Sequence, residues 1–122
     1  MGSAYMKKLG FIGMGNMAQA LAMGFINAKA IAKENVYAYA PHQEKLLKNA
    51  ETIGFTPVAT LKDLARSVDT LVMACKPYQI EAVINELGKA LEDKALISIA
   101  AGWDIAKYRQ FITTNTRLQF IM

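Results

Sequence analysis

Residues 9–18 read Leu9-Gly10-Phe11-Ile12-Gly13-Met14-Gly15-Asn16-Met17-Ala18. The short apolar run that ends at Gly13 predicts a buried strand. From Asn16 to about Ala28 the chain is rich in Ala, Leu, Met and Phe, which predicts a helix. The turn between them is G-x-G-x-x-A, a weak signal alone but informative directly between a strand and a helix. Gly13 permits the tight turn. Gly15 has no side chain, so a pyrophosphate can approach the backbone. Ala18 is small enough for the helix to pack closely on the strand. The helix start offers unpaired N–H groups and partial positive charge to phosphates. A glycine turn without a ligand is the competing reading, and the strand-turn-helix setting weighs against it.

The remaining sequence repeats this alternation. Val36 to Ala40 reads as a second strand, ended by Pro41. Glu44 to Thr52 reads as a polar helix with Leu46, Leu47 and Ile53 on its apolar edge, and Gly54 sits where a left-handed helix stop belongs. Thr56-Pro57-Val58 is a short strand, placed by its proline at an edge or end. Thr60-Leu61-Lys62-Asp63 resembles a capping box with Asp for the preferred Glu, opening a helix through Arg66. Thr70 to Cys75 is continuously apolar, as suits a parallel strand covered on both faces. Ile80, Val83, Ile84, Leu87 and Leu91 mark one face of an amphipathic helix. Ala95 to Ala100 is another apolar strand. Asp104 caps a helix carrying Ile105, Tyr108, Phe111 and Ile112, and Leu118 to Ile121 is a last strand. Regular alternation of strand and helix means α/β architecture, a Rossmann-like, doubly wound parallel sheet with helices on both faces.

The totals bound what such a domain does. The chain has 122 residues, enough for one domain with a core that needs no disulfide or metal. A 53% hydrophobic and 20% charged composition excludes intrinsic disorder. No apolar run approaches the roughly 18 residues that suggest a membrane span. The formal charge is +4. The basic residues are scattered and form no run longer than Lys7-Lys8, so they read as a solvated surface, with no nucleic-acid partner expected. Cys75 is the only cysteine and ends an apolar run, so it reads as a small buried hydrophobe, fitting a reducing, cytoplasmic setting. No metal-spaced His or Cys set, Ser/His/Asp order or Walker lysine is present. The first five residues read as an expression tag, with Met6 as the natural start. Residues 6–122 then form the dinucleotide-binding domain.

Three strand ends refine the ligand. Dinucleotide folds usually carry Asp or Glu at the end of the second strand, to hold the 2′-hydroxyl of NAD. Here the end is Tyr39-Ala40-Pro41-His42, with no acid. That leans toward NADP over NAD, with His42, Lys45 and Lys48 within reach of a 2′-phosphate; His42 also reads as a solvated loop residue. Lys76-Pro77 follows the strand Thr70 to Cys75, at the carboxyl end where such sheets bind ligands. Lys76 as an exposed loop charge and Pro77 as a helix start fit equally well. Ala100-Ala101-Gly102 ends the next strand and is small enough for a nicotinamide to lie close, or for a plain turn. Trp103 reads as a packing or interface residue.

Taken together, Phe11 to Ala18, Ala74-Cys75-Lys76-Pro77, Ser98 to Gly102 and Arg117 to Met122 resemble the N-terminal part of the pyrroline-5-carboxylate reductase family. The resemblance covers nearly all of Lys7 to Met122. It implies reduction of the C=N bond of 1-pyrroline-5-carboxylate to L-proline, with hydride from NADPH or NADH. It implies that Met14, Asn16 and Met17 line the pyrophosphate turn, and that Tyr39 and Pro41 lie near the adenosine ribose. Cys75, Lys76 and Ala101 would border the nicotinamide end, with Pro77 part of the same motif. Leu61 departs from the Asn found in many members. The resemblance also implies further strands and a helical domain past Met122, forming a homo-oligomer and supplying the catalytic residues and most of the imino-acid site. The chain is then an incomplete, cofactor-binding portion, inactive alone. A free-standing nucleotide-binding or sensor module is the alternative from another class. A related NADP-dependent reductase of the same fold, such as a deazaflavin-dependent one, is the third.

Overall fold

The computed structural model describes residues 7–120. The expected tag, Met6, and the end of the last predicted strand at Ile121 lie outside them. Six parallel strands form one sheet: β1 (Leu9–Ile12), β2 (Val36–Tyr39), β3 (Thr56–Pro57), β4 (Thr70–Met73), β5 (Ala95–Ser98) and β6 (Arg117–Phe120). Their order is β3-β2-β1-β4-β5-β6. The chain winds outward from β1 to β3, crosses back to β4 beside β1, then winds outward again. Leu9 stands opposite both Val36 and Thr70, and Ile12 opposite both Tyr39 and Met73. The carboxyl ends of β1, β2 and β4 are therefore level, and the winding reverses between β1 and β4.

Helices cover both faces, which explains the unbroken apolar runs. Every residue of β1, β4 and β5 is buried. On one face α1 (Asn16–Asn27) and α2 (Gln43–Ile53) bring Ala18, Ala22 and Leu46 onto Phe11, Val36, Ala38 and Val72. On the other, α3 (Leu61–Ser67), α4 (Ile80–Leu87) and α5 (Ile105–Phe111) bring Leu64, Ile80, Ile84 and Tyr108 onto Ile12, Leu71, Met73 and Leu96. Gly10 lies beneath α3; a Cβ there would come within 2.9 Å of Leu64 Cδ1.

Local signals set the helix ends. Gly54 is left-handed at φ 102°, and its N–H donates to the Ala50 carbonyl at 2.8 Å. Asp104 accepts from the Lys107 N–H at 2.8 Å. Thr60 Oγ1 accepts from the Asp63 N–H at 3.0 Å, but only this half of the capping box closes, because the Asp63 carboxylate pairs with Arg66.

Three boundaries differ from the periodicity by more than one residue. The helix expected to continue to Leu91 ends at Leu87, where Gly88 turns to φ 50°. Gly88–Leu91 continue as a 3-10 turn that still buries Leu91, so the apolar stripe outlasts the α-helix. The apolar runs Thr70 to Cys75 and Ala95 to Ala100 leave the sheet at Met73 and Ser98. Beyond them the Ala74 N–H still donates to Ile12 (2.9 Å) and the Ile99 N–H to Met73 (3.2 Å), and then the chain turns out of the ladder.

Candidate dinucleotide site

A cleft of about 720 Å³ opens over the level carboxyl ends of β1, β2 and β4, where the winding reverses. Such a reversal leaves a crevice between loops that lead to opposite faces of the sheet. Ile12, Gly13 and Ala74 form its floor. One wall is α2 and the residue before it, through His42, Lys45, Leu46 and Asn49. The other is α4 and the turn before it, through Gln79, Ala82, Val83 and Glu86, with Leu61 at the start of α3. Each wall follows the spacing i, i+3, i+4, i+7 of one helical face.

The glycine turn is held from both sides. The Gly13 N–H donates to the Tyr39 carbonyl at 2.8 Å, which ties the turn to β2. Gly13 has φ 96°, and a Cβ there would lie 3.0 Å from the Ala74 backbone, so both conformation and space demand glycine. Gly15 differs: it is the N-cap of α1, and a Cβ there would meet nothing within 4 Å. The backbone at Gly15 thus faces open space at the cleft mouth. No side chain caps α1 and no acid lies in its first turn, so its positive end is available to an anion. Gln19 Nε2 donates to the Met14 carbonyl at 3.0 Å and steadies the turn.

Of the residues expected at the site, Gly13, Met14, Gly15, Asn16, Tyr39, Pro41, Cys75 and Lys76 line this cleft. Ala18 is buried on the inner face of α1. Met17 is 67% exposed and lies outside the lining. Pro77 opens the 3-10 turn Pro77–Gln79 that leads into α4, and Ala101 sits exposed in the turn after β5; neither lines the cleft. His42 and Lys45 line it and Lys48 does not. Gln19, Asn49, Tyr78 and Glu86 also line the cleft, and no sequence motif marks them. The helical spacing of the two walls is the signal that finds Asn49 and Glu86.

The thiol of Cys75 donates to Met73 Sδ at 3.5 Å. Burial pushes its pKa up to about 11, against a smaller opposing backbone hydrogen bond, so it is a neutral thiol near pH 7. Deeper, the Tyr108 hydroxyl lies 2.7 Å from Ser98 Oγ, which also accepts from the Ala100 N–H at 3.3 Å. Burial raises the Tyr108 pKa; the Ser98 hydrogen bond opposes the shift and nearby Cys75 adds to it. Trp103 packs on Tyr108 and Phe111 at centroid distances of 5.0 and 5.4 Å, with Lys107 Nζ 4.6 Å from the ring. Trp103 is thus a packing residue that anchors the turn carrying Ala101. Among the described residues no cluster of His, Cys, Asp or Glu is arranged to hold a metal, and no helix is long and apolar enough to cross a membrane.

The comparisons with known proteins agree with this geometry. Residues 8–102 match the family described as NADP oxidoreductase, coenzyme F420-dependent. A pyrroline-5-carboxylate reductase of Treponema pallidum is 37% identical over 107 residues, covering 88% of this chain and 40% of the relative. The crystal structure of Plasmodium falciparum pyrroline carboxylate reductase with NADP bound is 34% identical with a TM-score of 0.83, over 95% of this chain and 42% of that one. A pyrroline-5-carboxylate reductase from Coxiella burnetii is 27% identical with a TM-score of 0.86, over 95% and 43%. The chain therefore spans about two-fifths of the length of the relatives it matches. With its glycine turn, strand order and cleft, the chain belongs to the NADP oxidoreductase family described as coenzyme F420-dependent, and it is similar to the pyrroline-5-carboxylate reductases along nearly its whole length.

Proposed function

We propose that this chain is the NADP(H)-binding portion of a reductase that converts 1-pyrroline-5-carboxylate to L-proline. The observation that carries the cofactor assignment is the open backbone at Gly15 beside the uncapped start of α1, at the reversal of the sheet. Gly13 to Asn16 would hold the pyrophosphate through backbone N–H groups. Tyr39 and Pro41 would flank the adenosine ribose. The absence of an acid at the end of β2, with His42 and Lys45 on the adjoining wall, favours NADP over NAD. Cys75 and Lys76 would border the nicotinamide end, where a neutral thiol presents no charge to the ring. Met17, Pro77 and Ala101 complete the assignment as residues that flank these contacts. Bound NADPH supplies a hydride for the imine carbon.

The likeness to pyrroline-5-carboxylate reductases supports the substrate. We place the imino-acid site and the subunit contact in the part of those proteins that this chain does not match. Isothermal titration of the 122-residue chain with NADP⁺ should show one weak, saturable site. The same chain given NADPH and 1-pyrroline-5-carboxylate should form no proline. Absence of saturable binding would overturn the cofactor reading, and robust proline formation would overturn the placement of the substrate site.

The description of the matched family favours a second reading, hydride exchange between NADP and a deazaflavin. Offering both acceptors to a longer protein that carries this segment separates the two, since only one should be consumed.

A further inference from the structure

The two walls of the cleft share one spacing and differ in charge. The α2 wall carries His42 and Lys45, and the α4 wall ends on Glu86. Among the described residues Arg66–Asp63 is the only ion pair, so both Lys45 and Glu86 are free to meet a ligand. Glu86 is exposed at the surface of α4, and its position on the cleft contributes nothing evident to the core. On the same wall as Glu86, Leu61, Ala82 and Val83 add apolar surface of the kind that packs against a planar ring.

An ionised carboxylate only accepts hydrogen bonds. A phosphate placed against Glu86 meets like charge, while an N–H donor there gains a charge-assisted hydrogen bond. In a doubly wound sheet, the side of the second strand takes the adenosine half of a dinucleotide. That half carries one exocyclic amine, on the base. Resting on the dinucleotide reading above, we infer that Glu86 selects the base: it accepts from the adenine amine, and its charge turns the ribose phosphate toward Lys45. Base and phosphate are then sorted to opposite walls, which fixes the orientation of the adenosine in the cleft.

The test compares NADP⁺ with its hypoxanthine counterpart, in which a carbonyl replaces the amine. Wild-type chain should bind NADP⁺ about tenfold more tightly, the size of one charge-assisted hydrogen bond. Glu86→Gln keeps the shape and can turn its amide to donate, so it should bring the two affinities within about threefold. Glu86→Lys should reverse the preference. Thermal melts of both variants should match the wild type, because Glu86 is exposed. Equal binding of both ligands by the wild type, or an unchanged ratio in Glu86→Gln, would overturn the assignment and leave the cofactor reading standing. Failure of both ligands to bind the wild type would remove the cofactor reading and this inference together.

Discussion

Gly13 and Gly15 stand two positions apart in one turn and answer to different constraints. Gly13 is held at positive φ against the backbone of Ala74, so Gly13→Ala should cost about 2–4 kcal/mol in strain and displacement. Gly15 has ordinary dihedrals and free space, so Gly15→Ala should cost no more than about 1 kcal/mol as a poorer N-cap. On the proposed cofactor site, NADP⁺ affinity of the Gly15 variant should nevertheless fall about tenfold or more, because the added methyl would stand where the pyrophosphate would approach. Urea unfolding and calorimetric titration of both variants check this, and the reverse ranking would show the two roles misassigned. This turn was legible in the sequence because its rule is local: three small residues between an apolar run and a helix. Ala101 and Pro77 were harder to place. Their motifs identify strand ends, but whether such a residue reaches the cleft depends on how the next turn leaves the sheet.

The helix caps at Thr60 and Asp104 and the stop at Gly54 follow from residue type alone, and each is made by the backbone or side-chain bond expected. The amphipathic stripe from Ile80 to Leu91 concealed the break at Gly88, because a 3-10 turn can bury Leu91 as well as another α-helical turn would. Strand ends were overextended for a related reason: apolar character persists through Cys75 and Ala100 into the loops after β4 and β5, of which only the first lines the cleft. At this scale α5 is fastened to β5 by the Tyr108–Ser98 hydrogen bond, and to the turn before it by Trp103 packing on Tyr108 and Phe111. Tyr108→Phe keeps the rings and deletes the hydroxyl. It should lower stability by about 1 kcal/mol, the net worth of a buried hydrogen bond. Chemical denaturation reads this, and a variant as stable as the wild type would show that the bond contributes nothing net.

For the molecule as a whole, Cys75 and Tyr108 make folding sensitive to alkali. Both hold their protons more tightly folded than unfolded. Above the ordinary thiol value of 9.0 the unfolded chain loses the Cys75 proton while the folded chain keeps it up to about 11. The unfolded state then binds fewer protons, so stability falls as pH rises through that window. Tyr108 extends the fall at the upper end. Urea midpoints measured from pH 8 to 11 should decline, less steeply in Cys75→Ala; a flat profile in the wild type would contradict both burial effects.

The level ends of β1 and β4 have one more consequence. These two strands are neighbours in the sheet, yet α1, β2, α2, β3 and α3 all lie between them in the chain. The sheet is thus two locally wound halves joined along a single seam, closed against the entropy of a long loop. The cleft straddles that seam, with α2 and the β2 end on one half and α4 and the β4 end on the other. A molecule resting on both walls acts as a clasp between the halves: whatever free energy it gains from needing both at once is also free energy against their separation.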